Sequence, residues 1–400
     1  MRNYDYIQKF KELGFGMFVH FGAYSVLKKG EWDYNERKGN KESYWDLPYK
    51  FNPRKDWAIK LVKIAKKAGC KYITLTTRHH EGFSLYDTCG LNEFDTLHIG
   101  PKRDLVREFV DACNNENIVP FFYHTLLDWH EESYKNDFDK YIDYLISSIE
   151  ILCKNYGKIG GFWFDGYWDK PNANWQFDRL YSTIRKYQED AMIINNTGLS
   201  KLGEVSNPEI DSVTFERGKP FSLNQTDRPR AGEVCDGLYE HWGYCENDIG
   251  IKSVSYLIDE LIDCRLCDCN FLLNSGPLPN GHIPLMDEAT FLFLGKWIKV
   301  NKGFIYKAHS TKLEAIGAKV LFDGEYYYAI TSGVNMSANP DVALKGTKKC
   351  VKILTDKKVV NAKYLDNMQN VEISKDNSFV MLPFEYGQAY LTRVVRFKLK

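Results

Sequence analysis

The chain has 400 residues, which is enough for a barrel of about 250–300 residues and a smaller companion domain. It carries 53 Lys and Arg residues against 53 Asp and Glu residues, so no global charge attracts nucleic acid or an anionic membrane surface. The N-terminal segment has no basic stretch followed by a long apolar run, and no run of about 18 apolar residues occurs anywhere. We therefore expect a cytoplasmic protein whose partner is neutral or recognised locally.

Short apolar runs alternate with amphipathic stretches through the first three hundred residues, which is typical of βα units around a parallel sheet. The first helix in this alternation, over residues 56–69, has a plausible cap at Asp56 and a stop at Gly69. Similar helices are predicted over 104–117, 137–157 and 251–266. The predicted strands are FGMFVHFG, KYITLTT, IVPFFY, GGFWFD, AMIIN, SVTF and NFLLNSG.

Polar side chains follow the ends of the first four predicted strands: His20, then His79 and His80, then Tyr123 and His124, then Asp165. In a (β/α)8 barrel such positions converge on one face, whereas an open, doubly wound sheet would spread them along an edge. The clustering therefore favours an α/β fold of the (β/α)8-like TIM barrel type over residues 1–304.

After about residue 305 the pattern changes to period-two strands separated by polar turns. The strand segments are KVLFDGEYYYAIT, KKCVKILTD, SFVMLP and GQAYLTRVVRFKL. This pattern predicts a C-terminal β-sandwich over residues 305–400. No catalytic constellation stands out there, so we favour a packing role over accessory binding.

The ten cysteines are spread through apolar segments and predict reduced, buried thiols rather than a disulfide framework. One cluster, formed by Cys264, Cys267 and Cys269, contains a CxxC element that could indicate a metal or redox site. No second cysteine pair with zinc-finger spacing accompanies it, so we favour structural thiols.

Asp165 ends an apolar strand in GGFWFDGYW, where a carboxylate is costly unless it is hydrogen-bonded. A functional role is therefore favoured over a capping or salt-bridging one. A retaining glycosidase needs such a carboxylate as nucleophile and a second carboxyl group about 5–5.5 Å away as acid/base. Glu216 follows its strand most directly, although Arg217 could hold it in a structural ion pair. The other candidates are Glu233, Glu240 and Glu246.

Four histidines could ligate a catalytic metal: His20, His79, His80 and His124. Adjacent residues on a strand point to opposite faces, so His79 and His80 would have to lie beyond the strand end to share one ion. Neutral imidazoles can instead hydrogen-bond sugar hydroxyls, and one of the four could be a core residue. We rank hydroxyl binding first and metal binding second. Trp32, Trp163 and Trp242 could line a sugar pocket or fill the core.

Eight further segments extend from about residue 15 to residue 284: GMFVHFGAYS, EWDYNE, TTRHHEGFSLYDT, FFYHTLLDWH, WFDGYW, FERGKP, EHWGYCEND and NFLLNSGPLPNG. In this order along the chain they resemble segments of the α-L-fucosidases of glycoside hydrolase family 29. The resemblance implies a barrel with a C-terminal β-sandwich. It also implies a retaining hydrolase that removes terminal α-L-fucose from oligosaccharides or glycoconjugates without a metal or another cofactor.

The resemblance implies roles for individual residues. Asp165 matches the nucleophile of the WFDG segment, and Glu216 in FERGKP matches the acid/base of FERD-type segments, with Glu233 in reserve. The implied fucose-binding residues are His20, Glu31, Trp32, His79, His80 and Tyr123, with Trp163 and Trp242 as walls against which the C6 methyl group can pack. INNTGLSKLG departs from the many relatives that carry an arginine after the fifth strand, so contacts on that side of the sugar and the linkage preference are expected to differ.

Two other functions stay open from the residues alone. One is a metal-dependent barrel hydrolase built on the histidines, and the other is a non-catalytic fucose-binding barrel. The presence of both candidate carboxyl groups favours an enzyme over the second. An L-galactoside, which differs from an L-fucoside only by a C6 hydroxyl group, is an alternative substrate.

Overall fold

The computed structural model describes residues 3–37, 41–199, 201–223, 227–338 and 348–400. The chain forms two compact units, one from Met1–Ile251 with Asn270–Phe291 and the other from Lys252–Cys269 with Leu292–Lys400. Among the residues described, no helix is both long and apolar enough to cross a membrane.

Eight parallel strands close into a barrel in chain order. The first and last strands pair through Phe15 and Phe271, which completes the closure. This confirms the predicted (β/α)8-like barrel. The strands are β1 (Phe15–Val19), β2 (Tyr72–Arg78), β3 (Val119–Thr125), β4 (Gly161–Asp165), β5 (Met192–Asn195), β6 (Ser212–Glu216), β7 (Ala231–Gly237) and β8 (Cys269–Ser275).

Helices connect these strands and precede the C-terminal sheets. The four predicted helical stretches form the helices Trp57–Ala68, Leu105–Glu116, Phe138–Asn155 and Val254–Leu266. In chain order the helices are α1 (Asp5–Leu13), α2 (Asp33–Glu36), α3 (Leu47–Lys50), α4 (Trp57–Ala68), α5 (Leu105–Glu116), α6 (Ser133–Asn136), α7 (Phe138–Asn155), α8 (Phe177–Tyr187), α9 (Val254–Leu266) and α10 (Leu285–Val300).

The two ends of α4 can be compared with the predicted cap and stop residues. The helix stops as predicted at Gly69, whose φ of 90° is a left-handed value that favours glycine. The helix begins after Asp56, which occupies the predicted N-cap position, but the Asp56 side chain accepts no N–H group of the first turn. Its carboxylate instead pairs with Lys60 at 2.9 Å and with Arg54 at 3.3 Å.

Aromatic side chains fill the barrel in two layers. In the lower layer, Phe10 of α1 inserts against Tyr72 and Phe121, with ring centroids 5.6 and 5.5 Å away. In the upper layer, Trp163 packs 5.2 Å from Phe18 and 5.8 Å from Tyr123. Burying each such side chain contributes about 1.5–3 kcal/mol to folding. The lower layer lies between the amino ends of the strands and the upper part of the barrel interior.

The strand β7 was not predicted from the sequence. Its residues AGEVCDG are all buried, yet two glycines and two acidic residues hide the apolar pattern that identifies a buried strand. It pairs with β6, and Thr214 lies opposite Glu233. The strand therefore carries one of the candidate carboxyl groups into the barrel interior.

The second unit contains two antiparallel sheets. In order across each sheet, one consists of Lys319–Phe322, Tyr327–Thr331, Arg393–Leu399 and Val359–Tyr364, and the other of Ser378–Met381, Lys349–Leu354 and Glu314–Ile316. Residues of both sheets, including Ala329, Val351, Met381 and Val395, share one apolar core. This confirms the predicted C-terminal β-sandwich, although two of its strands, Glu314–Ile316 and Val359–Tyr364, were not predicted. The strands are β9 (Glu314–Ile316), β10 (Lys319–Phe322), β11 (Tyr327–Thr331), β12 (Lys349–Leu354), β13 (Val359–Tyr364), β14 (Ser378–Met381) and β15 (Arg393–Leu399).

Candidate active site

A cavity of about 110 Å³ opens at the carboxyl ends of the barrel strands. The proposed catalytic pair, Asp165 and Glu216, lines it, and so do all of the implied fucose-binding and wall residues except Glu31. Phe18, Trp168, Leu199 and Cys235 were not predicted as members. The lining consists of Phe18, His20, Trp32, His79, His80, Tyr123, Trp163, Asp165, Trp168, Leu199, Glu216, Cys235 and Trp242.

Asp165 ends β4, and three donors fix its carboxylate. The Tyr123 hydroxyl donates to Oδ2 at 3.1 Å, while the side-chain N–H groups of Trp168 and Asn196 donate to Oδ1 at 3.3 and 3.2 Å. The chain turns back at Gly166, where φ is 98° and a Cβ atom would lie 2.7 Å from Leu127 Cβ. Only glycine fits this turn without strain, and the turn returns Trp168 to the carboxylate.

Glu216 ends β6 and lies across the cavity from Asp165. One nitrogen atom, Nδ2 of Asn196, donates to Glu216 Oε2 at 2.6 Å and to Asp165 Oδ1 at 3.2 Å. Because both bonds share this nitrogen atom, Asp165 Oδ1 and Glu216 Oε2 cannot be farther apart than the sum of the two bond lengths. That sum is smaller than the roughly 6.5–9.5 Å that separates the carboxyl groups of inverting glycosidases. The geometry is therefore that of a retaining pair.

Burial raises the pKa of Glu216 to about 7, and the neighbouring charge of Asp165 acts in the same direction. The Asn196 hydrogen bond and the Arg217 charge oppose this increase in pKa. Glu216 therefore retains its proton close to neutral pH, as a general acid must.

The alternative that Arg217 holds Glu216 in an ion pair is wrong. The Arg217 guanidinium donates to the Glu240 carbonyl at 2.5 Å and lies 4.7 Å from the ring centroid of Trp242. The backbone φ of 50° at Arg217 turns the chain after β6. Arg217 thus braces the Trp242 wall and leaves the Glu216 carboxyl group to face the cavity.

The other candidate carboxyl groups do not reach the cavity. Glu233 is fully buried between the two aromatic layers, where its oxygens accept from the Tyr72 hydroxyl at 2.5 Å and from Trp163 Nε1 at 2.9 Å. Burial raises the pKa of Glu233 to about 7. The Glu240 and Glu246 side chains are 85% and 50% exposed. The geometry therefore favours Glu216 as the partner of Asp165.

Three histidines present neutral rings to the cavity, because burial lowers the pKa of His20 and His80 and lowers that of His79 to about 3. The Asn274 amide group donates to the Trp242 carbonyl, so its Oδ1 faces His20 Nδ1 at 2.7 Å. His20 Nδ1 must then carry the hydrogen, which leaves Nε2 as an acceptor. Rings in this state suit hydroxyl groups.

His79 and His80 follow the last residue of β2, so both enter the cavity. The Nδ1 atom of His80 lies 2.7 Å from Thr125 Oγ1, and its Nε2 lies 3.6 Å from Asp165 Oδ2. The ring of His79 stacks on that of Tyr123, with centroids 5.5 Å apart. The two rings therefore connect β2 to the nucleophile candidate and to the cavity wall.

His124 is the predicted strand-end residue that does not reach the site. Its Nδ1 atom contacts the Thr125 carbonyl at 2.8 Å and its Nε2 atom contacts the Tyr86 hydroxyl at 3.3 Å. It follows Tyr123 on the same strand, and alternation along β3 turns it away from the barrel interior. A metal site that includes His124 is therefore excluded. Within the described ranges, no three His, Cys, Asp or Glu side chains are arranged to hold a metal ion.

None of the three clustered cysteines is part of the cavity lining. All ten cysteines lie in described ranges and form no disulfide. Cys264 and Cys269 are buried, and Cys267 is partly exposed. Cys70, Cys113 and Cys153 are buried, as predicted. The prediction of buried thiols is wrong for Cys89 and Cys350, which are exposed.

Glu31 braces the site from outside its lining. Its buried carboxylate accepts the Gly243 N–H group at 2.7 Å, and burial raises its pKa. This bond ties the loop after β1 to the loop after β7. Each loop contributes one aromatic wall: Trp32 lies 5.6 Å from Trp168, and Trp242 stacks 5.2 Å from His20.

Some of the site residues that were not predicted could have been found from the sequence. Phe18 lies two residues before His20 and therefore on the same strand face. Trp168 lies three residues after Asp165, across a glycine turn. Asn196 directly follows β5, a position that faces the cavity end of the barrel. Cys235 had no such signal, because β7 was not predicted.

Comparisons with known proteins identify the family of the chain. A family model described as Alpha-L-fucosidase matches residues 1–303. The chain is 27% identical over 345 residues to the tissue alpha-L-fucosidase of Macaca fascicularis, covering 76% of this chain and 70% of that one. The human tissue enzyme is 26% identical with the same coverage.

Solved structures of alpha-L-fucosidases share the fold of this chain. Alpha-L-fucosidase isoenzyme 1 from Paenibacillus thiaminolyticus superposes with a TM-score of 0.84 at 27% identity, covering 99% of both chains. An alpha-L-fucosidase from Bacteroides thetaiotaomicron shares the fold, with a TM-score of 0.81 at 22% identity over 100% of this chain and 96% of that one. With the family model matching three quarters of its length, the chain belongs to the α-L-fucosidase family, glycoside hydrolase family 29.

Proposed function

We propose that the chain is a retaining exo-α-L-fucosidase, with Asp165 as nucleophile and Glu216 as general acid and base. The observation that carries the proposal is the pair of carboxyl groups bridged by one Asn196 nitrogen inside the cavity of a member of this family. The substrates are glycans that end in α-L-fucose.

In the first step, an Asp165 oxygen forms a bond to the anomeric carbon while the bond from that carbon to the glycosidic oxygen breaks. Protonated Glu216 gives its proton to the departing oxygen, so the aglycone leaves as a neutral alcohol. The products of this step are a fucosyl ester on Asp165 and an ionised Glu216.

In the second step, ionised Glu216 takes a proton from a water molecule as that water attacks the anomeric carbon. The ester bond breaks and the electron pair returns to Asp165. Two inversions at one carbon give net retention. Both carboxyl groups then have their starting protonation states.

The size of the cavity supports removal of a terminal residue. A cavity of about 110 Å³ is much smaller than the roughly 300–1,000 Å³ pockets that hold drug-sized ligands, and it suits a single sugar ring. The neutral His20, His79 and His80 rings can bind the ring hydroxyls. Aromatic side chains such as Trp242 supply an apolar surface for the C6 methyl group.

The proposal is tested by incubating the chain with an aryl α-L-fucoside after exhaustive chelation and following the first sugar released by NMR. We expect activity to persist and the α-anomer to appear before mutarotation. Loss of activity on chelation would favour a metal-dependent hydrolase, and binding without release would favour a fucose-binding barrel. Competition between L-fucosides and L-galactosides tests the role of the C6 methyl group.

The pH dependence of kcat/KM follows from Glu216. Burial raises the pKa of Glu216 to about 7, and only the protonated form can act as the acid. We therefore expect kcat/KM for a substrate with a poor leaving group to fall tenfold per pH unit above about pH 7. A profile from about pH 5 to about pH 9 measures this, and an alkaline limb absent up to about pH 9 would contradict the assignment.

The variant Glu233→Gln tests whether Glu233, and not Glu216, is the acid/base. The amide has the shape of the protonated acid but retains only one acceptor for the Tyr72 and Trp163 donors, so we expect a loss of about 1–3 kcal/mol of stability by urea unfolding. Activity of the folded variant toward aryl and natural fucosides should stay within about tenfold of the wild type, since Glu233 does not line the cavity. A loss of more than about a thousandfold, confined to natural substrates, would instead identify Glu233 as the acid/base.

A further inference from the structure

Asn196 is a buried side chain whose amide group contacts both candidate carboxyl groups. It follows β5 and is 1% exposed. Its Nδ2 atom donates to Asp165 Oδ1 at 3.2 Å and to Glu216 Oε2 at 2.6 Å. Its Oδ1 atom accepts the Thr214 hydroxyl at 2.8 Å. Asn196 is not part of the cavity lining, so it acts on the site only through these partners.

Thr214 determines which way the Asn196 amide points. A rotation of the amide by 180° would turn Oδ1 toward the Asp165 carboxylate, where two acceptors would repel each other. The Thr214 hydroxyl donates to Oδ1 and stabilises the opposite orientation, with the NH₂ group facing both carboxyl groups. Thr214 lies two residues before Glu216 on β6 and therefore on the same strand face. One strand thus carries both the acid/base candidate and the residue that orients its amide partner.

We propose that Asn196 is a positioning residue that donates to whichever of the two carboxyl groups is ionised as the negative charge moves between them. This rests on the proposed function. In that mechanism Asp165 is ionised before attack, and Glu216 is ionised once the fucosyl ester has formed. Hydrogen bonds to ionised acceptors are stronger than those to neutral ones, so the shared NH₂ group stabilises both charge states without moving.

The charged groups around Glu216 determine how strongly the Asn196 NH₂ group affects the pKa of Glu216. The charged or titratable groups that act on Glu216 are Asp165, Arg217 and Glu31, and Glu216 in turn acts on Tyr123 and Cys235. Burial and the two carboxylates raise the pKa of Glu216, while the Asn196 hydrogen bond and the Arg217 charge lower it. Loss of the Asn196 donor should therefore raise the pKa of Glu216.

The test compares Asn196→Ala and Thr214→Val with the wild type. For Asn196→Ala we expect kcat/KM at the pH optimum to fall about 10- to 100-fold, which is the size of effect produced by removing one hydrogen bond to an ionised group. The alkaline limb should move to higher pH, and KM should change little because Asn196 does not line the cavity. Thr214→Val should cause smaller shifts in the same directions, since the amide stays but its orientation is free.

Asn195→Ala is the matched control. Asn195 is an adjacent, equally buried asparagine, but its amide donates to the Tyr181 hydroxyl at 2.8 Å on α8, outside the barrel. This variant should lose stability without moving the alkaline limb. The proposal is overturned if Asn196→Ala loses activity with an unmoved limb, as a purely structural residue would.

A second measurement does not depend on turnover. The ¹³C chemical shift of the Glu216 carboxyl group, assigned with Glu216→Gln, reports its titration in the wild type and in Asn196→Ala. We expect a higher midpoint in the variant, and equal midpoints would overturn the proposal even in a folded, active protein. Absence of fucosidase activity in the wild type would contradict the proposed function separately, while this titration would still test the contact.

Discussion

Replacement of Asp165 by glycine is expected to reduce turnover of an aryl α-L-fucoside on the order of 10³- to 10⁵-fold. The variant lacks the oxygen that forms the bond to the anomeric carbon, whereas the other cavity residues are unchanged. The space left by the side chain can admit azide, which attacks the same carbon from the same side. We therefore expect partial recovery of activity in azide and a β-fucosyl azide, with inverted configuration, as the product.

The matched control for this variant is Asp169→Gly. Asp169 lies four residues farther along, is exposed, and accepts the Tyr134 hydroxyl at 2.6 Å. Its loss should change turnover only a few-fold. Full activity of Asp165→Gly, or rescue that yields the α-azide, would contradict the assignment of the nucleophile.

The loss of kcat/KM in Glu216→Ala should depend on the leaving group of the substrate. A natural glycan releases a poorly acidic alcohol and needs the proton, so we expect its kcat/KM to fall on the order of 10³-fold or more. A dinitrophenyl fucoside leaves without protonation and should lose about tenfold or less in the first step. The comparison of kcat/KM for the two substrates in one variant cancels differences in folding.

The stereochemistry of azide rescue gives an independent check. In Glu216→Ala the fucosyl ester on Asp165 still forms, and azide replaces the water that Glu216 would have activated. The product should be the α-azide, opposite to that of Asp165→Gly. Equal losses on both fucosides, with no effect of azide, would indicate that Glu216 has a structural role.

The sequence was sufficient to predict the barrel because amphipathic periodicity and strand-end polarity are local signals. His20, Asp165 and Glu216 could each be located by the apolar strand that precedes them. His124 was misassigned for a reason that was already present in the sequence, since a residue after the inward-facing Tyr123 must face outward. The strand β7 was missed because its burial depends on the closed barrel and not on an apolar composition.

The remaining features depend on which strands become neighbours. Whether Arg217 pairs with Glu216 or with the Glu240 carbonyl is decided by the turn after β6, which sequence spacing does not specify. Glu233 becomes buried between two aromatic layers only when the barrel closes. The same closure brings Asn196 into contact with residues of two strands. The implied fucose-binding roles of the lining residues and the cytoplasmic location stay predictions.

The layer formed by Phe10, Tyr72 and Phe121 beneath the cavity has a consequence for the order of events during turnover. It blocks passage through the barrel, so the aglycone and the attacking water use the same mouth. Water can reach the fucosyl ester only after the first alcohol has left. A second alcohol that occupies the vacated mouth can accept the fucosyl group in place of water, so the ratio of hydrolysis to transfer depends on how tightly the rim of the cavity binds acceptors.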